Sequence, residues 1–208
     1  MGAALGALVV VARRLRRARR PLHPRGMVRH GTLALDDAGA PGARELGAPL
    51  VTPALVRVSR SVGLPAPLPD VQGLAVRWHE GGRAQDLLLA STGLGRLSRF
   101  LLVPRPHPWS GPASTLMPFL DAGGRAVLVA AVPLPDGPRD GGVDVLLLTA
   151  RPGGPWHRAG RLACPAVPGD ADDPGLRFDP VLRAPGALRV PDWAARLRLP
   201  AYRRARAG

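Results

Sequence analysis

The chain has 208 residues and a formal net charge of +14, a length that supports one domain with a buried core. All 29 basic residues are arginine, which reads first as the codon bias of a GC-rich genome. The one cysteine, Cys164, excludes an intramolecular disulfide and any cysteine-based metal cluster.

The charge is uneven. Residues 1–30 hold eight Arg and no acid, residues 183–208 hold seven Arg and only Asp192, and residues 31–182 hold fourteen of each sign. An excess confined to the two ends implies an anionic partner, whether nucleic acid, membrane or cofactor, or else solvated basic tails.

In chain order, residues 3–20 read as a helix stopped by Pro21. The apolar stretch 2–12 is too short to span a bilayer, and no basic residue precedes it as in a signal peptide. It fits a helix docked on the protein, with a weak interfacial anchor as the second reading. Strands are expected at 28–35, 54–59, 71–78 and 86–91. Gly73 is a candidate bulge, a Gly/Pro loop fills the stretch up to Pro53, and Glu80–Gly82 forms a turn. Their short connections argue antiparallel pairing. Residues 94–103 look helical, and the Pro-rich 104–118 reads as an irregular crossover. The apolar runs 125–132 and 143–149 fit buried strands. A further strand is expected at 157–164, placing Cys164 as a small apolar strand residue. Asp192 is a fit N-cap for a last helix from Trp193 to about Leu199. The expectation is a closed antiparallel β-barrel of about eight strands, with packed N- and C-terminal helices. Its mouth is the expected ligand site. The domain division is an N-terminal helix, 1–20, and a barrel domain, 21–208.

Familiar site motifs are missing. Without lysine there is no phosphate loop. There is no HExxH and no paired His/Cys spacing for zinc. Gly93-Leu-Gly95 is too short for a dinucleotide fingerprint, and Ser91 and Ser110 lack a nucleophile elbow. Eight aromatic residues, none interleaved with arginine as a stacking platform, argue against specific nucleic-acid binding.

An ordered set of segments remains: Arg20-Pro-Leu-His23-Pro-Arg-Gly26, His30-Gly31-Thr-Leu-Ala-Leu35, Ala54-Leu-Val-Arg57-Val-Ser59, Asp70-Val-Gln-Gly73-Leu-Ala-Val-Arg77-Trp78, Asp86-Leu-Leu-Leu-Ala-Ser-Thr92, and Phe178-Asp-Pro180 through Arg198-x-x-x-Tyr202. Together they resemble the haem catalase superfamily. The resemblance implies a catalase-like barrel, a haem cofactor and a peroxide substrate. It implies Tyr202 as the iron ligand with Arg198 in support, His23 as the acid–base group, Ser59 as its orienter, and Arg20 and Arg57 at the haem propionates. The chemistry is coherent. A phenol must lose its proton to bind ferric iron, and an arginine four residues earlier favours the phenolate. Two guanidinium groups match two carboxylates. A histidine can take a peroxide proton and return it to the leaving oxygen.

Two departures stand out. Ala90 and Ser91 occupy the family's distal asparagine region, where serine only partly replaces an amide. Pro200 lies between Arg198 and Tyr202, where it disrupts a continuous helix. The expected activity is that of a small haem oxidoreductase acting on hydrogen peroxide or organic hydroperoxides. It is expected to be cytoplasmic, with weak membrane association through residues 2–12 as the second reading. The alternatives are a catalase-fold protein without haem or catalysis, and a basic binder of anionic partners.

Overall fold

The computed structural model describes residues 25–36, 39–65, 67–108, 110–135, 142–165 and 176–196. The expected N-terminal helix, Arg20, His23, Arg198 and Tyr202 lie outside them. The first four strands form an antiparallel meander: β1 (Arg25–Leu35), β2 (Leu50–Arg60), β3 (Gln72–Glu80) and β4 (Arg83–Ser91). The β3–β4 turn is tight because Gly81 and Gly82 adopt φ of 55° and 78°, a region open to glycine at little cost. After a crossover come the two-residue strands β5 (Ala113–Ser114) and β6 (Phe119–Leu120), then β7 (Ala126–Pro133), β8 (Val143–Ala150) and β9 (His157–Cys164).

The sheet closes. β9 pairs with β1, and β5 bridges β4 to β7. Both β5 and β6 lie along the same edge of β7, so residues 113–120 form one interrupted eighth stave. Below β5 the gap beside β4 is filled by the 183–189 segment. The Asp86 amide donates to the Arg183 carbonyl at 2.7 Å, and the Leu120 and Arg189 backbones exchange two bonds. Closure removes the unpaired strand edges an open sheet would expose.

Alternation along each strand sends one set of side chains inward. Val56, Leu74, Val76, Leu87, Val127, Val129, Val145, Leu147 and Leu162 fill the barrel, and Cys164 is buried on β9 as expected. The short helix α1 (Ala43–Leu46) buries Ala43 and Leu46 against this core. Gly186 runs so close beneath it that a Cβ would strike the Glu45 carbonyl.

Several sequence expectations need correction. α1 falls in what reads as a Gly/Pro loop, because four residues are too few to show a helical period. β2 begins at Leu50, four residues before the expected start, with Pro53 inside it opposite Thr32. Gly73 is no bulge; the register through it is continuous, and the irregularity falls between Leu147 and Leu148. The expected helix at 94–103 is only a 3₁₀ turn, Ser98–Phe100. There the chain is bound crosswise instead: the Val103 amide reaches the Ser91 carbonyl at 2.8 Å, and Arg99 turns inward. Among the described residues, the cavity lined by Val58, Leu74, Ala131 and Val145 measures about 10 Å³, room for about one water. Residues 192–196 are helical, and the Ala195 amide donates to the Pro191 carbonyl at 2.9 Å, so the helix starts one residue early and Asp192 lies in its first turn instead of capping it.

Candidate functional site

If the inner face of β1–β4 is core, their other face is the place to look for a site. Strand register sorts its side chains into rows. The first row runs Gly26, Ser59, Gly73, Ala90 and Ser114. The second runs Val28, Arg57, Ala75 and Leu88, and the third His30, Leu55, Arg77 and Asp86. The first row has no residue larger than serine, so a flat ligand can approach the backbone closely there.

Arg57 and Ser59 project from β2 on this face, two residues apart. Both are buried although they point away from the core, with exposures of 7% and 6%. The Arg57 guanidinium lies over β1: a Cβ on Gly26 would come within 2.6 Å of its Cζ. Glycine at position 26 therefore lets the charged group lie against the neighbouring strand. A buried guanidinium requires compensation by acceptors or counter-charge, and neither Arg57 nor Ser59 is free.

The third row carries a second polar cluster. Asp86 is wholly buried and takes a two-pronged ion pair from Arg77, at 2.6 and 2.8 Å. Its Oδ2 also accepts the Asp179 amide at 2.7 Å, and Arg183 lies 3.7 Å away. The Arg77 guanidinium covers the Phe178 ring, 4.8 Å from its centre. Its Nη2 also donates to the Arg177 carbonyl. Three motif segments thus meet here, those of Arg77 and Asp86 on neighbouring strands and that of Phe178-Asp179-Pro180, over ninety residues away. They hold the C-terminal segment one row from Arg57.

The two residues at the asparagine position separate. Ser91 faces inward. Its hydroxyl accepts the Gln72 amide at 3.0 Å and donates to the Val103 carbonyl at 2.7 Å, so it is committed to the fold. Ala90 shares the row of Ser59 and brings no hydrogen-bond donor. The expected partial replacement by serine is therefore overturned by strand alternation. Beyond it, Thr92 donates to Ser114, which donates to the Arg99 carbonyl.

Of the sequence candidates, the structure brings Arg57 and Ser59 to one face, while His23, Arg20, Arg198 and Tyr202 lie outside the described residues. His79 stands on β3; it and His107 are exposed, and His157 opens β9. Sequence reasoning missed Gly26, Ala75 and Ala90 as the floor around Arg57. Their only signal is the register, which a single sequence does not display. Among the described residues no cluster of three His, Cys, Asp or Glu is placed to hold a metal ion. None of their helices is long and apolar enough to cross a membrane.

No family model and no curated protein matches the chain. A solved structure does, described as a bacterial catalase: the TM-score is 0.60 at 16% identity, over 96% of this chain. The fold is catalase-like. The chain spans 59% of the length of that catalase, and at this identity the likeness concerns the fold alone.

Proposed function

We propose that the outer face of β1–β4 binds haem and that the protein uses it to act on hydrogen peroxide or organic hydroperoxides. The observation that carries this reading is the buried pair Arg57 and Ser59 on a surface of small residues. The face fits the group: a guanidinium for a propionate, a hydroxyl for a neighbouring imidazole, Gly73, Ala75 and Ala90 for a flat approach, and Val28, Leu55 and Leu88 for apolar contact. The catalase-like fold and the ordered motifs support the same assignment.

On this reading haem, when bound, supplies the iron chemistry that cleaves the peroxide bond. The chain's own residues bind and move protons. Tyr202 would hold the iron as a phenolate that Arg198 favours, and Arg20 and Arg57 would neutralise the propionates. The imidazole of His23 takes a proton from one peroxide oxygen and delivers it to the leaving one, with Ser59 fixing its orientation. Ala90 offers no second donor to the peroxide. That observation favours a second reading, a haem-binding protein of this fold with little turnover.

Titration of the protein with hemin tests the binding step. Wild type is expected to bind one equivalent, and Arg57→Met, which keeps the packing but removes the charge, to bind about tenfold or more weakly. Peroxide consumption by the loaded protein, with hydrogen peroxide and with cumene hydroperoxide, separates the two readings. Loss of turnover in His23→Ala without loss of hemin binding supports the enzyme. Binding without turnover in wild type supports the second reading, and an absence of hemin binding rejects both.

A further inference from the structure

Four of the large apolar side chains exposed on this molecule fall within six residues: Leu97, Phe100, Leu101 and Leu102 are 80%, 38%, 60% and 49% exposed. Such clustering on a single segment marks an interaction surface, whereas scattered exposed leucines do not.

The segment is held from below. Arg99, between the exposed residues, is buried, and its guanidinium donates to the carbonyls of Leu94, Gly95, Arg151 and Gly154 at 3.1–3.3 Å. It also covers the Trp156 ring at 4.7 Å. Leu102 is bridged to Thr92. The apolar side chains therefore project from a fixed base, and their exposure is a property of the folded segment.

Charge decides what covers them. From Leu87 to Leu120 the sequence contains no acidic residue, while Arg96, Arg99 and Arg105 all fall within that stretch. The Arg99 guanidinium and the two terminal nitrogens of Arg105 donate to backbone carbonyls, which leave the positive charge uncompensated. Among the described residues none of the three pairs with a carboxylate. Protruding leucines and phenylalanine over an uncompensated positive field match the boundary between headgroups and acyl chains of an anionic bilayer.

We propose that residues 96–102 form an interfacial anchor that docks the protein on anionic lipid membranes. The segment is distinct in sequence from residues 2–12, and the proposal does not rest on the haem reading.

Because Cys164 is 1% exposed, a polarity-sensitive dye can be attached selectively to Leu97→Cys in the full chain. Its emission should shift to the blue with phosphatidylglycerol–phosphatidylcholine vesicles and stay unchanged with phosphatidylcholine alone. In co-sedimentation with the same anionic vesicles, Leu101→Gln with Leu102→Gln should lower the bound fraction about tenfold, with an unchanged melting temperature. An unshifted dye overturns the proposal, as does vesicle binding that the double variant retains, which would assign the contact to the basic ends. A blue shift that follows protein concentration without vesicles also overturns it, in favour of self-association.

Discussion

The two faces of β1–β4 bury side chains for different reasons. Inside, Val56, Leu74, Val76, Leu87 and Leu89 are buried because the barrel closes around them, and the driving force is removal of apolar surface from water. Outside, buried Arg57 and Ser59 stand beside Gly26, Gly73, Ala75 and Ala90, and buried Asp86 stands beside Arg77. A core does not need those residues there. The same alternation that makes a mainly apolar interior, broken by buried Arg29, Gln72, Gln85 and Ser91, thus produces a surface of polar and small residues on its reverse, and the candidate site lies on that surface.

The contrast can be broken at several points. The largest effect is expected at Asp86, whose carboxylate joins Arg77 to the Asp179 amide. Asp86→Ala strips Arg77 of its counter-charge and should cost about 3–5 kcal/mol in denaturant unfolding. On the inner face Leu87→Ala should cost about 2–5 kcal/mol, while the variant that still folds keeps the hemin affinity of wild type. Gly26→Ala asks the reverse. Its added methyl meets the movable end of Arg57, so unfolding should change by about 1 kcal/mol or less while hemin affinity falls. Equal effects of Leu87→Ala and Gly26→Ala on hemin binding would remove the distinction between the faces.

The smallest expected effect lies away from both faces, in the turn after β6. The Asp121 carboxylate is held down to about 2, first by the Arg125 amide and then by the Arg151 guanidinium. A carboxylate with a lowered folded pKa stabilises fully above its ordinary value near 3.8. That contribution fades as pH falls toward about 2. Melting temperatures of wild type and Asp121→Asn between neutral pH and strong acid should therefore differ most at the neutral end and converge on acidification. A gap that stays constant with pH would contradict the assignment.

Much of the barrel was legible because strands leave local marks. Alternation in 54–59 and the Glu80-Gly81-Gly82 turn predict the meander without any tertiary information. The apolar run around Val127–Ala131 predicts a strand buried on both sides. The stretch 94–103 misleads for an instructive reason. Leu94, Leu97, Phe100 and Leu101 recur at helical spacing, yet Leu97, Phe100 and Leu101 are exposed. The residue that turns inward is Arg99, whose burial depends on carbonyls more than fifty positions away. The site divides the same way. Arg57 and Ser59 are visible in a motif, but that Ala90 rather than Ser91 shares their face follows only from strand register.

The central claim is that this outer face grips haem ligated by the C-terminal tyrosine. Absorption spectra of the protein purified with haem supplied, compared between wild type and Tyr202→Phe, address it most directly. The account predicts a Soret band in wild type that is lost or displaced when the phenol oxygen is removed. A wild type without the band, or a band identical in the two proteins, would contradict it.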